Sequence, residues 1–284
     1  MSAYPLKAAN YFMSLLAEYN LALSTVIKTC NSQGFPTAIA TLLRTLVESN
    51  DITLIIYRDT AMPQIEFFMS PEGESNLDMF RSGVFLIDPY YLAAAKDNKS
   101  GFFALKELTP KGFKNSEYYK TWYRHSGLHD ECGYLIPIDD GFINLSVGRT
   151  DSYPKFNKAL LSFLAEIEPT ISALCQRHYN NTKPATSATD DDRLPKQLQT
   201  ALDNFGSTVL TDREQQVVNM LMHGHSTKSI AEILCISTET VKLHRKKSYA
   251  KLDINSQSEL FYLFIDSLMS VKGYKSGDTL SSYL

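Results

Sequence analysis

Apolar residues recur at helical spacing over residues 5–30 and 36–49. They then give way to two runs, "ITLIIY" and "QIEFFM", rich in β-branched and aromatic side chains and parted by a turn around Pro63. This order predicts two helices followed by an antiparallel hairpin. Further on, "NSEYYKTWYRH" predicts a helix, "CGYLIPI" and "GFINLSVGR" predict two strands joined through "DDG", and residues 154–178 predict a closing helix bent at Pro169. An antiparallel sheet with helices from both chain ends is an α/β/α sandwich of the α+β class.

Apolar periodicity vanishes in "YNNTKPATSATDDDRLP", where Asn, Thr, Pro, Ser and three consecutive Asp take over. Residues 1–178 are therefore expected to form one domain and residues 179–206 a linker with a short helix in "LPKQLQTALDNF". From there the chain is helical in pattern. Thr211 with Glu214, Ser237 with Thr240 and Ser256 with Glu259 each mark a helix start, the first and third as capping boxes. Gly224 supplies a stop and Ser226 a fresh cap, so "TKSIAEIL" is a short helix with Ile230, Ile233 and Leu234 on one face. Residues 207–270 thus read as an all-α domain of four short helices, and residues 271–284 as a flexible tail.

The third of these helices contains "STETVKLHRKK". At about 100° per residue, Val241, Ser248 and Leu252 share one side, while Lys242, Lys246, Tyr249 and Thr238 share the other, flanked by Leu243 and Arg245. The apolar seam docks on the preceding helix. The outer face offers cations to phosphates, Lys donors to guanine edges and Leu243 to a thymine methyl, as a helix entering a major groove requires. Charge makes this a local property: 28 Lys and Arg against 31 Asp and Glu leave a net charge of −3, so no global basic field exists.

The stretch "LTDREQQVVNMLMHGHSTKSIAEILCISTETVKLHRKKSYAKL" resembles the helix-turn-helix of LuxR/NarL-type regulators. The resemblance implies that Lys242, Leu243 and Lys246 read bases, and that Thr227, Lys228, Thr238 and Arg245 stand near phosphates. Thr240 and Lys247 complete the candidate DNA-binding set. Two positions depart from the family pattern: Ser248 replaces a large aliphatic residue, and Gln257 replaces an Arg.

The opening helix and the placement of Asp139–Asp140 in a hairpin turn exclude a phosphoacceptor receiver. The N-terminal pattern resembles the GAF-like and PAS-like, autoinducer-binding-like sensors found ahead of this helix-turn-helix. "FLIDPYYLAAA" resembles the Asp-Pro element lining acyl-homoserine lactone pockets. The Trp expected after that element is missing, and the chain's one Trp, Trp122, lies in "SEYYKTWYRHSGLHDECG", which resembles the pocket helix of a related LuxR-type sensor class. Candidate ligand contacts are Asp88, Tyr90 and Tyr91, with Tyr119, Trp122 and Tyr123 on one helical face. Plain core packing is the alternative for each aromatic, and Asp88 either pairs with a ligand amine or caps the helix it precedes.

The expected protein is a DNA-binding transcription regulator that works as a homodimer on an inverted-repeat operator in double-stranded DNA, under a small-molecule effector, with RNA polymerase as a further candidate partner. A ligand-independent regulator whose N-terminal domain only dimerises is one alternative. A metal-dependent sensor or enzyme using His125, His129 and Cys132 is the other, although Gly127 breaks the helix that would align the histidines. No GxSxG, HExxH or Gly-rich phosphate loop is present, and no cofactor is expected. His223 and His225 read as a helix end. Cys30, Cys132, Cys175 and Cys235 are scattered without a CxxC pair, which suits reduced thiols. With no signal-peptide order and no apolar run near the ~18 residues of a membrane span, the chain is expected in the cytoplasm.

Overall fold

The computed structural model describes residues 4–58, 62–71, 77, 80, 83–182, 200–223, 225–270 and 276–283. Helices α1 (Tyr4–Thr29) and α2 (Phe35–Leu46) open the chain. Strands β1 (Asp51–Arg58) and β2 (Gln64–Met69) follow, then α3 (Pro89–Ala95), β3 (Gly101–Ala104), α4 (Leu105–Leu108) and α5 (Glu117–Thr121). Long strands β4 (Leu128–Ile138) and β5 (Gly141–Thr150) are joined through Asp139–Asp140, and α6 (Lys158–Glu166) and α7 (Glu168–Asn181) close the unit, parted at Ile167. The five strands form one antiparallel sheet in the order β2-β1-β5-β4-β3.

The α+β class and the helix–sheet–helix layering are those the sequence predicts. Differences are local. Strand β3 adds an edge that its four residues do not announce, and the predicted "NSEYYKTWYRH" helix breaks after Thr121 into a 3₁₀ turn over Tyr123–His125.

The two sheet faces differ in kind. One carries Ile52, Leu54, Ile56, Cys132, Tyr134, Ile136, Ile143, Leu145 and Val147, all buried in an apolar core with α2 and α7. The other alternates with it and presents Asp51, Thr53, Ile55 and Tyr57 on β1, Glu131, Gly133 and Leu135 on β4, and Phe142, Asn144, Ser146 and Gly148 on β5. A cover of α3, α5 and the aromatic turns around them lies over this second face.

Helices α8 (Asp212–Met222), α9 (Thr227–Ile233), α10 (Thr238–Lys251) and α11 (Gln257–Ser270) make up the helical C-terminal part. Val217, Leu221, Ile230, Ala231 and Val241 form its own core. Leu260, Phe261, Phe264 and Leu268 of α11, with Val218 and Met222 of α8, belong to the same buried cluster as Phe80, Phe85 and Tyr91 of the sandwich. On α11, Phe261 is buried and Ile265 packs against this shared cluster, so both turn onto the chain's own N-terminal part, whereas Tyr262 is exposed.

Most of the predicted linker, residues 183–199, lies outside the described residues, as do the predicted stop Gly224 and residues 271–275; residues 200–204 are helical. The tail prediction is corrected at residues 276–283. Leu280 and Thr279 are buried, and the Asp278 carboxylate accepts from the amides of Gly206 and Thr208, each at 2.9 Å, and from the Thr208 hydroxyl at 2.7 Å. Apolar Leu280, which has too few neighbours in sequence to show a period, finds its core in three dimensions. Among the described residues no helix is long and apolar enough to cross a membrane.

Candidate nucleic-acid interface and effector site

The helix-turn-helix is built from caps inward. Thr211 accepts from the Glu214 amide while Glu214 accepts from the Thr211 amide at 3.0 Å, closing the capping box. Ser226 and Ser237 cap α9 and α10 by accepting from Ser229 and Thr240. Glu214 has a second role: the Lys251 ammonium at the far end of α10 donates to it at 2.7 Å. Those bonds, first that from Lys251 and then that from the Thr211 amide, hold the carboxyl down at about 2. Helices α8 and α10 are thereby locked together.

Helix α10 has the two-faced form read from its sequence. Val241 and Ser248 are fully buried and Leu252 nearly so, whereas Lys242, Leu243, Lys246 and Lys247 are exposed. Ser248, the departure from an aliphatic residue, is fully buried yet satisfied, since its hydroxyl donates to the His244 carbonyl at 2.9 Å. Gln257 likewise has work: its amide donates to the Leu221 carbonyl at 3.0 Å, tying the start of α11 to the end of α8. Arg245, Lys246 and Lys242 line an open groove with Tyr249 and Asn255. Thr227 and Lys228 open α9 and Thr238 and Thr240 lie in the first turn of α10, so all nine candidate residues stand on α9 and α10. Lys242 pairs with Glu239 at 2.7 Å, an exposed contact that contributes little to stability.

The ligand candidates gather around Asp88, but not all as expected. Asp88 is both cap and buried acid: it accepts from the Tyr90 amide at 2.7 Å and from the Tyr118 hydroxyl at 3.1 Å. Burial raises its carboxyl to about 6 against those bonds. Tyr90 and Tyr91 are buried, with the Tyr90 hydroxyl donating to the Phe103 carbonyl. The break after Thr121 divides the predicted stripe. Trp122 leans on Tyr118 and Phe80, while Tyr119 stacks on Tyr123 and meets Phe113. Sequence reading missed Tyr57 and Tyr118, which face the same space, and the polar residues of the sheet face beneath. Period-two alternation through β1, β4 and β5 was the available signal.

His125, His129 and Cys132 are not brought together. Cys132 points into the apolar core on the opposite sheet face, and among the described residues no group of three metal-binding side chains assembles. All four cysteines are free.

Residues 208–264 match the family described as "Bacterial regulatory proteins, luxR family". Over 188 residues the chain is 31% identical to an HTH-type transcriptional regulator in the exeN 3′ region of Aeromonas salmonicida, a match that covers 64% of this chain and 95% of that one. It is 41% identical over 58 residues to the nitrate/nitrite response regulator protein NarP of Escherichia coli, covering 20% of this chain and 27% of NarP. Among solved structures, the VqsR LBD domain of Pseudomonas aeruginosa superposes with a TM-score of 0.51 at 22% identity, covering 58% of this chain and 98% of that one, a likeness of fold.

Proposed function

The chain belongs to the LuxR family of bacterial regulatory proteins, and from that premise we propose that it is a sequence-specific transcription regulator whose DNA binding is set by a small molecule held in the α/β sandwich. Residues 207–270 bind DNA, residues 1–178 sense and dimerise, and residues 179–206 join them. The observation that carries this reading is α10: a helix pinned by its apolar seam that leaves Lys242, Leu243 and Lys246 exposed in line. Control by a ligand draws support from Asp88, a buried acid ringed by Tyr90, Tyr118 and Trp122. One reading helix makes too few contacts for specific affinity, so a two-fold dimer on an inverted repeat in the cytoplasm is proposed, with RNA polymerase as a later partner.

The test separates base contacts from phosphate contacts. Lys246→Ala is expected to cost about 1–3 kcal/mol on operator and little on scrambled duplex. Lys228→Ala, at the edge of the face, should weaken both duplexes alike and make the salt slope shallower by nearly one unit. Titrations at several salt concentrations decide it. Equal losses for Lys246→Ala on both duplexes would overturn the assignment of the reading face.

A further inference from the structure

The second sheet face is polar where a sandwich interior should be apolar. Registry places Asp51, Gly148 and Glu131 in one row across β1, β5 and β4, with Thr53, Ser146 and Gly133 in the next and Ile55, Asn144 and Leu135 after that. Asp51, Glu131, Asn144 and Ser146 are all more than nine-tenths buried. The glycines keep the centre of this floor low. A Cβ on Gly133 would sit 2.9 Å from the Leu145 carbonyl oxygen.

Polar atoms in this layer lack partners. Glu131 Oε2, Asn144 Oδ1, the Tyr57 hydroxyl and Trp122 Nε1 are buried without a hydrogen bond, two acceptors, one group of either kind and one donor. Burying such groups unpaired costs about 1–3 kcal/mol each, so a fold that retains three of them on one sheet face, with Trp122 beside Tyr118 in the cover, has a use for them. Charge points to the nature of that use. The groups acting most strongly on Glu131, after burial, are Asp88 and Asp51, both acids; among the described residues no cation acts strongly on Glu131 or on Asp88. Tyr57 and Tyr118 feel both Asp88 and Glu131, which places the four in one neighbourhood. Arg58 and Arg149, on the same strands, serve elsewhere: Arg58 pairs with Asp140, and Arg149 donates to the Glu48 and Pro154 carbonyls.

We propose that the effector is a small organic ammonium compound, its charged nitrogen donating to Glu131 and Asn144 beneath Asp88 and among the rings of Tyr57, Tyr118 and Trp122. This rests on the effector reading above and gives it a chemical class. A cation answers two buried acids together, aromatic faces favour it, and Trp122 Nε1 is left to donate to an oxygen elsewhere on the same molecule. A neutral lactone brings no positive charge to these acids, whose ionisation burial and mutual repulsion oppose.

The experiment melts the full chain with ethanolamine and phenylethylamine at millimolar concentration, against their uncharged counterparts ethylene glycol and phenylethanol. The amines should raise the melting temperature by several degrees and the alcohols should not, because only a ligand that prefers the folded state stabilises it. Glu131→Gln, equal in shape, should weaken amine binding about 100-fold, the order expected when one partner of a buried ion pair is removed. Without ligand this variant should melt no lower than wild type, because a buried carboxyl that burial, Asp88 and Asp51 push toward its neutral form gives way to a neutral amide of equal shape; a lower melt would assign Glu131 to the fold instead and overturn the proposal. Asp88→Asn, with the same expected loss of amine binding, repeats the test at the second acid. No shift with either amine, or equal shifts with amines and alcohols, overturns the ammonium class. A neutral lactone that stabilises where amines do not would leave the effector reading standing, whereas indifference to amines, alcohols and lactones alike would sink both.

Discussion

A single side chain ties the end of the described chain to the point where the helical part begins. Asp278 takes four hydrogen bonds, from the Gly206 and Thr208 amides, the Thr208 hydroxyl and, at 3.0 Å, the Leu280 amide. Gly206 has φ +77, a conformation that suits glycine, and a Cβ there would meet Leu210 at 2.8 Å. Removing the carboxylate takes the acceptor from three amides and a hydroxyl, the Gly206 and Leu280 amides in buried places. Asp278→Ala is therefore expected to destabilise the fold by about 2–3 kcal/mol, and Asp278→Asn by less, since one amide oxygen can still accept. Denaturant melts of both variants measure this; a loss within error for Asp278→Ala would show that the docked tail adds nothing to stability.

At the scale of elements, what was legible in the sequence was whatever one helix or strand decides for itself. Caps at Thr211, Ser226, Ser237 and Ser256, and the two faces of α10, depend on neighbours within four residues, and each appears where the residues place it. Strand β3 and the tail around Leu280 did not show, being too short for a period to emerge. Glu131 was hidden for another reason. It lies in the polar run "LHDEC", where alternation marks its side of the strand but does not show that this side is covered and the carboxyl buried near Asp88. The contact between α3 and α8 was equally out of reach, since it joins residues far apart in the chain. Lys96, capping α3, reaches His223 Nε2 at 2.9 Å and Asp203 at 3.1 Å, while His223 Nδ1 meets the Asn219 carbonyl at 2.6 Å. Burial first, then the Lys96 charge, lowers the imidazole to about 4, against the pull of the Asn219 carbonyl and Asp203, with His225 adding to the lowering. The neutral ring that accepts from Lys96 is thus the form the docked state needs. Because its folded value lies below the ordinary 6.5, the stability it contributes is present above pH 6.5 and is lost as pH falls toward 4. In His223→Gln, whose amide accepts without titrating, the fall in melting temperature across that window should be shallower than in wild type. Identical pH profiles would exclude His223 as its source.

For the whole molecule, these contacts define which surface is open and which is spent. The reading face of α10 is exposed, yet the apolar side of α11 lies against the sandwich: Phe261, Phe264 and Leu268 share its cluster, and Ile265 approaches the backbone at Gly83, where a Cβ would come within 2.7 Å of its Cδ1. A second copy cannot use that side of α11 while it is docked. Tyr118 connects this junction to the proposed effector site, since it bonds Asp88 and also lines, with Met222 and His223, a crevice between the two parts. An effector that shifts Tyr118 thereby alters the packing that holds α11, provided the docked and released forms differ in their affinity for it. Ile265→Glu tests the restraint directly. The substitution puts a charge into the junction, which favours release, but on a freed α11 it would face water and harm the helix-turn-helix little. Released helical parts can pair on an inverted repeat, so tighter operator binding is expected together with a larger radius of gyration in solution scattering. A more extended particle with unchanged operator affinity would show that docking does not limit DNA binding. An unchanged radius would mean that the junction tolerates the charge and that the restraint lies with Phe261 and Phe264.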